Sequence, residues 1–257
     1  HFELLRLFSE SIIQNPNATG IPYRENYTYQ VTPFDPISVS YNKIIRDFKE
    51  AERLLTAHGE YFDRTDENAG GFVKDRVIHM NLYAVQALLA RVYWEKGDLE
   101  TAKNYAMKVI DCPFFSMEDK TNVEDIMNGV ISDKETIWGL YSEEFPNYTR
   151  SVMYSSGGSY YYDPKPDYRE IYEVDQDGFD YRLDKWFQTL ADHGAEGLRC
   201  MKVVDRFKVR LQTRPVTKLS GINMIRLPEL YYIVAEYYLV ADDMKMAASY
   251  LDKVVRA

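Results

Sequence analysis

Ser40 and Lys43 stand in Ser40-Tyr41-Asn42-Lys43, the SxxK spacing in which a lysine one helical turn away can take the proton of a serine nucleophile. Neither an SDN nor a KTG segment accompanies it, and the surrounding pattern sets Lys43 on a solvated helix face, so chance accounts for the match. A second grouping is acidic: Asp175, Asp177, Asp180 and Asp184 crowd one segment beside Trp186. Two well-placed carboxylates next to an aromatic platform are what glycoside hydrolysis requires. Asp175-Gln176-Asp177-Gly178 also matches the opening of a calcium loop, but no glutamate stands at its closing position. An acidic cluster of this kind reads first as a solvated turn. His1, His58, His79 and His193 are scattered, and Cys112 and Cys200 form no CxxC and have no histidine at metal spacing. Two isolated buried thiols are the expectation for the cysteines. The chain has no GxxxxGK[ST], GxGxxG, HExxH or GxSxG. The expectation is a protein without metal or cofactor, and not an enzyme.

Aromatic residues make the stronger pattern. Tyr154-Ser-Ser-Gly-Gly-Ser-Tyr160-Tyr161-Tyr162-Asp163-Pro164 sets four tyrosines among glycine and serine. Three consecutive rings cannot all bury on one face. Trp186-Phe187, between Lys185 and Gln188, could supply a second platform. Sugar rings present C–H faces that stack on aromatics and hydroxyls that bond to polar neighbours. Tyr154, Tyr160, Tyr161, Tyr162, Trp186 and Phe187 are therefore the candidate glycan contacts. The alternative is that these rings roof a minor core. No basic residues interleave with them, which argues against single-stranded nucleic acid.

Composition supports that exclusion. The 257 residues carry 31 Lys+Arg against 40 Asp+Glu, a net charge of −9, where DNA, RNA and anionic lipid demand excess basic charge. The longest apolar stretches, Ala84–Trp94 and Leu230–Ala241, are broken by Gln86, Arg91 and Glu236, and fall short of the ~18 residues of a membrane span. Tyrosine is over-represented, with 22 against 12 Phe and 3 Trp. Tyr41, Tyr83, Tyr93, Tyr105, Tyr238 and Tyr250 fall at helix positions; Tyr23, Tyr27 and Tyr29 fall in a loop, where packing gives no reason for them.

The elements that must carry these residues are mainly helical. Phe2, Leu4, Leu5, Leu7, Phe8, Ile12 and Ile13 predict an amphipathic helix ending before Asn15-Pro16. A turn-rich segment over 15–35 follows, and Asp35-Pro36 reads as an N-cap and first helical position. The next helix places Tyr41, Ile44, Ile45, Phe48, Ala51 and Leu55 on one face and stops at His58-Gly59. A long helix is predicted from about Lys74 to Lys96, a turn at Gly97-Asp98, and a second helix from Leu99 to Asp111. Leu227–Ala241 and Met244–Arg256 form another helical hairpin. Thr136–Tyr141 and Val203–Leu211 alternate like strands, and 142–200 is loop-rich. The two hairpins superpose in sequence without a gap at an offset of 145 positions: Ala90 on Ala235, Tyr93 on Tyr238, Asp98 on Asp243, Ala102 on Ala247, Val109 on Val254. Small residues where helices cross, with an aromatic filling the next groove, are the logic of tetratricopeptide repeats. The fold class is all-α: tetratricopeptide-like helical hairpins with a loop-rich insertion of roughly 110 residues and minor β-hairpin elements.

Several segments together resemble one family, the SusD/RagB-like outer-membrane glycan-binding lipoproteins. His1–Phe8 followed by Gly20-Ile21-Pro22-Tyr23 is similar to its first helix and adjoining strip. Ser40–Glu52 resembles its "YxxIxxDLxxA" helix, and Ala87–Tyr93 with Gly97-Asp98, Ala102, Tyr105-Ala106 and Val109-Ile110 its central hairpin. Ile225–Tyr231, Ala235-Glu236 and Tyr250–Ala257 resemble its "IRLAELYLIxAEA…LNxVRxRA" stretch, and Asp180-Tyr181-Arg182 a short D-x-R signature. The resemblance spans essentially the whole chain. It implies a tetratricopeptide-like scaffold with a loop-built face, tethered through a lipidated N-terminal cysteine to the outer leaflet of the bacterial outer membrane. There such proteins cap a SusC-like TonB-dependent transporter and capture oligosaccharides for import, some relatives taking peptides instead. Against that pattern, residues 1–257 read as a single SusD-like domain lacking its native N- and C-terminal portions. The family's ligand residues follow no fixed motif, so none transfers here. The resulting expectation is non-catalytic glycan binding that delivers nutrient to the transporter. A helical-repeat adaptor for peptides and a glycoside hydrolase are the rivals.

Overall fold

The computed structural model describes residues 1–57, 75–118, 131–132, 134–145, 147–149, 187–190, 197–200 and 219–255. Two compact units emerge, one of residues 1–117 with 225–256 and one of residues 118–224.

The first unit is a run of helices. α1 (Phe2–Phe8) buries Phe2 and Leu5. It is shorter than the apolar pattern predicts, because Ser9 is already extended and ends the hydrogen-bond ladder; Ile12 is buried from the following turn. β1 (Thr19–Pro22) pairs antiparallel with β2 (Phe34–Pro36), an association of residues too far apart for the local sequence to reveal. α2 spans Ile37–Ala57. Asp35-Pro36 thus belongs to β2, and not to the helix as expected. The N–H groups of Ile37 and Ser38 donate instead to the carbonyls of Ala18 and Pro16, both at 2.9 Å, so the preceding chain supplies the cap that a side chain would otherwise give. Gly20 is required at this crossing. A Cβ there would lie 2.9 Å from the Asp35 carbonyl oxygen and 3.0 Å from the Ser40 hydroxyl.

α3 (Leu82–Glu95) begins eight residues later than the pattern predicts. Arg76–Ile78 form a single 3₁₀ turn, so His79 stands before the helix and not inside it. The reason is Asn81, whose carboxamide oxygen accepts from the Ala84 N–H at 2.9 Å while its amide donates to the carbonyls of Arg76 and His79, both at 3.2 Å. α4 spans Leu99–Ile110. In the last hairpin α5 covers Leu227–Val240 and α6 Met244–Val255. Helix packs on neighbour in the order α2, α3, α4, α5, α6. Hairpins separated in sequence by the insertion are thus stacked in space as tandem repeats would be.

The 145-position offset holds down to single bonds. Gly97 and Asp242 both take positive φ, 83° and 60°. Asp98 N–H donates to Tyr93 O and Asp243 N–H to Tyr238 O, each at 2.9 Å, while Gly97 and Asp242 donate to Trp94 and Leu239. Each first helix therefore ends in the same Schellman turn. Asp98 and Asp243 then cap the second helices through the N–H groups of Thr101 and Met246. Tyr93 stacks on Tyr105 with centroids 5.8 Å apart, and Tyr238 on Tyr250 at 5.7 Å. Lys108 and Lys253 each lie over the second ring of the pair. The two hairpins differ on the outer face of the second helix. Ala106 of α4 is fully buried, whereas its counterpart Leu251 is 42% exposed and Met244 and Val255 are exposed with it.

The described residues of the second unit include three strands and the first four residues of another. β3 (Thr136–Tyr141) pairs with β6 (Gly221–Arg226), which leads directly into α5. Gly139 and Gly221 permit the approach of these strands, since a Cβ on Gly221 would overlap the Leu140 carbonyl. β4 (Phe187–Leu190) and β5 (Gly197–Cys200) form an antiparallel hairpin with Phe187 opposite Cys200. Val203–Leu211 lies outside the described residues. No helix among the described residues is long and apolar enough to cross a membrane.

Candidate functional site

Of the six candidate glycan contacts, Phe187 falls in β4, where it is half-buried. Tyr154, Tyr160, Tyr161, Tyr162 and Trp186 lie outside the described residues, as do Asp175, Asp177, Asp180 and Asp184. The SxxK pair is inert for a physical reason. Ser40 is fully buried with its hydroxyl against Gly20. Lys43 is not on a solvated face: its ammonium is 2.8 Å from the Asp35 carboxylate and over the Tyr23 ring. Cys112 is a free, buried thiol, as expected, in hydrogen-bond contact with the Tyr83 hydroxyl; the Cys200 side chain lies outside the described residues. Among the described residues no group of three or more His, Cys, Asp or Glu could hold a metal ion.

The scaffold tyrosines are accounted for by packing. Tyr41, Tyr93 and Tyr250 are buried, and Tyr83 packs edge-on against Phe114 and Phe115. Burial carries the Tyr41 hydroxyl up to about 12, beyond the usual phenol range. The loop tyrosines divide. Tyr23 is 6% exposed, stacks on His1 with centroids 4.1 Å apart, and donates to the Asp47 carboxylate at 2.6 Å. Burial and that carboxylate both raise its pKa. It is a core residue, contrary to its loop position in sequence, because its partner sits 24 residues away on α2. Tyr27 and Tyr29 are 94% and 100% exposed.

One polar hub joins three helices. The Glu52 carboxylate on α2 accepts from Gln86 on α3 at 3.1 Å, and from Tyr105 at 3.2 Å and Lys108 at 3.0 Å on α4. Burial alone would raise its pKa, but the bonds from Lys108, Gln86 and Tyr105 outweigh it and hold Glu52 below the usual glutamate range. A saturated, ionised acceptor of this kind ties helices together and has no proton to give at neutral pH. Because its folded pKa is depressed, its contribution is complete above the unfolded value of 4.5 and is lost as pH falls through the lower folded value. Acid titration followed by circular dichroism should show wild type losing stability below about pH 4.5, with a shallower loss in Glu52→Gln. Equal slopes would remove Glu52 from the account.

Comparison with known proteins supports the fold. No sequence-family profile matches the chain, and no curated protein does. Solved structures do match. A SusD-like carbohydrate-binding protein from Bacteroides vulgatus is 23% identical, with a TM-score of 0.67, over 99% of this chain and 52% of that one. A SusD superfamily protein from Bacteroides thetaiotaomicron is 20% identical with a TM-score of 0.71, over 99% and 55%. Another from Bacteroides fragilis is 20% identical with a TM-score of 0.64, over 98% and 53%. The chain has the SusD-like fold, mainly helical and tetratricopeptide-like, and spans about half the length of these structures.

Proposed function

We propose that this chain is part of a SusD-like protein that binds oligosaccharide without cleaving it and delivers it to a SusC-like TonB-dependent transporter. It would act as a lipoprotein on the surface of the outer membrane. The observation carrying this reading is the SusD-like fold, which extends over 99% of the chain and is shared with a protein described as carbohydrate-binding. An acidic chain with a net charge of −9, rich in tyrosine, suits a neutral ligand better than a polyanion.

Ring stacking by Tyr154, Tyr160, Tyr161, Tyr162, Trp186 and Phe187, with hydrogen bonds from neighbouring polar groups, would supply the affinity. A glycan array followed by calorimetry tests this. Trp186→Ala, or alanine at Tyr160, Tyr161 and Tyr162 together, should weaken the best glycan about tenfold while the melting temperature stays unchanged. Unchanged affinity in both removes those residues from the site. Reducing-sugar release by wild type, abolished in Asp180→Asn or Asp184→Asn, would replace the binding role with glycoside hydrolysis.

A further inference from the structure

The segment between β1 and β2 has aromatic surface that the fold does not use. Tyr27 is 94% exposed, Tyr29 100%, Val31 92% and Phe34 64%. Tyr27 and Tyr29 have no hydrogen-bond or ring partner among the described residues. Among the other described tyrosines of the first unit, Tyr23, Tyr41, Tyr93 and Tyr105 are buried or paired and Tyr232 is 52% exposed, so Tyr27 and Tyr29 are the most exposed of them. Exposed large rings gathered on one short segment mark a recognition surface more often than an accident of packing.

Three properties of this segment select the ligand. First, residues 26–34 read Asn-Tyr-Thr-Tyr-Gln-Val-Thr-Pro-Phe, without one charged side chain in a chain of net charge −9. A polyanion or an ionic protein epitope finds no counter-charge within these nine residues. Second, Tyr27, Tyr29 and Val31 alternate with Thr28, Gln30 and Thr32, so rings for C–H faces stand beside amides and hydroxyls for sugar hydroxyls. Third, both ends of the segment are clamped. Tyr23 bonds Asp47 at 2.6 Å, Glu25 pairs with Arg46 at 2.9 Å, and Asp35 pairs with Lys43 at 2.8 Å. Arg24 adds a bond to the Gln30 carbonyl at 3.4 Å across the loop. A loop held in this way loses less conformational freedom when a ligand settles on it.

We infer that residues 26–34 are a further carbohydrate-contacting surface, on which Tyr27 and Tyr29 stack neutral sugar rings. This rests on the carbohydrate reading of the chain. The intact protein is offered an array that includes maltoheptaose, xylohexaose, mannohexaose and chitohexaose, and the tightest binder goes to calorimetry. A Tyr27→Ala/Tyr29→Ala double variant should bind about tenfold more weakly, with an unchanged melting temperature. Tyr27→Phe/Tyr29→Phe keeps both rings and should stay within about threefold of wild type. Unchanged affinity in the alanine pair overturns the inference, as does an equal loss in the phenylalanine pair, which would assign the contact to the hydroxyls. If Trp186→Ala weakens binding and the Tyr27/Tyr29 variants do not, the carbohydrate reading stands and this surface falls. If wild type binds nothing on the array, both fall together.

Discussion

Ala106→Leu should unfold the first unit at markedly lower urea, while Leu251→Ala should scarcely move the transition. The two residues occupy the same position in the two hairpins, 145 positions apart. Ala106 has no exposed surface, on a helix that packs against both α3 and α5. Three additional carbon atoms there must separate two packed helices or force side chains off their rotamers, at about 1–3 kcal/mol or more. Leu251 is 42% exposed, so truncation leaves little cavity and costs under about 1 kcal/mol. The measurement is the midpoint of chemical unfolding of each variant. The same substitution read from sequence alone would seem conservative, since leucine is what the repeat itself carries at the second site. A larger loss in Leu251→Ala than in Ala106→Leu would overturn the stacking of α5 on α4.

Arg91→Ala is the second large effect expected. The guanidinium sits on α3 with its side chain 15% exposed and meets both Glu229 oxygens on α5, at 2.5 and 2.6 Å, while its remaining nitrogen reaches Glu3 on α1 at 3.3 Å. One residue thus ties three helices. Removing it leaves Glu229, which is one-third exposed, without its partner, at about 2–3 kcal/mol; fully buried pairs cost more. Arg91→Lys should recover only part of this, because an ammonium cannot make the two-pronged contact. Glu3 is nearly half exposed, and Glu3→Gln should cost under about 1 kcal/mol. A double-mutant cycle between Arg91 and Glu229 showing coupling no larger than that between Arg91 and Glu3 would reject the assignment.

Much of the helical scaffold is legible along the chain, because its determinants are local. The turn after each first helix needs a residue tolerant of positive φ followed by a capping aspartate, and Gly97-Asp98 and Asp242-Asp243 supply both within two positions. The tyrosine pairs Tyr93–Tyr105 and Tyr238–Tyr250 likewise follow from helical spacing across a short turn. Element boundaries were less legible where a distant group decided them. The start of α2 depends on carbonyls at Pro16 and Ala18, and Asn81 draws to itself a cap that the apolar period would place earlier.

The aromatic residues show the same division. Tyr23, Tyr27 and Tyr29 share one loop and one side-chain type, and nothing in their spacing separates the buried ring from the exposed ones. Asp47 and His1 decide it, by giving Tyr23 a hydrogen bond and a stacking partner that its neighbours lack. Phe187, half-buried in β4, is the one expected glycan contact that the described residues include.

By itself, then, the sequence determined the helical hairpins and their 145-position repetition, since periodicity and capping act over a few residues. Only the tertiary structure decided that α5 stacks on α4 across a hundred intervening residues, that β1 meets β2 and β3 meets β6, and which tyrosines remain exposed. Those outcomes depend on burial shared between residues far apart in the chain, where each partner's contribution exists only once the other is in place.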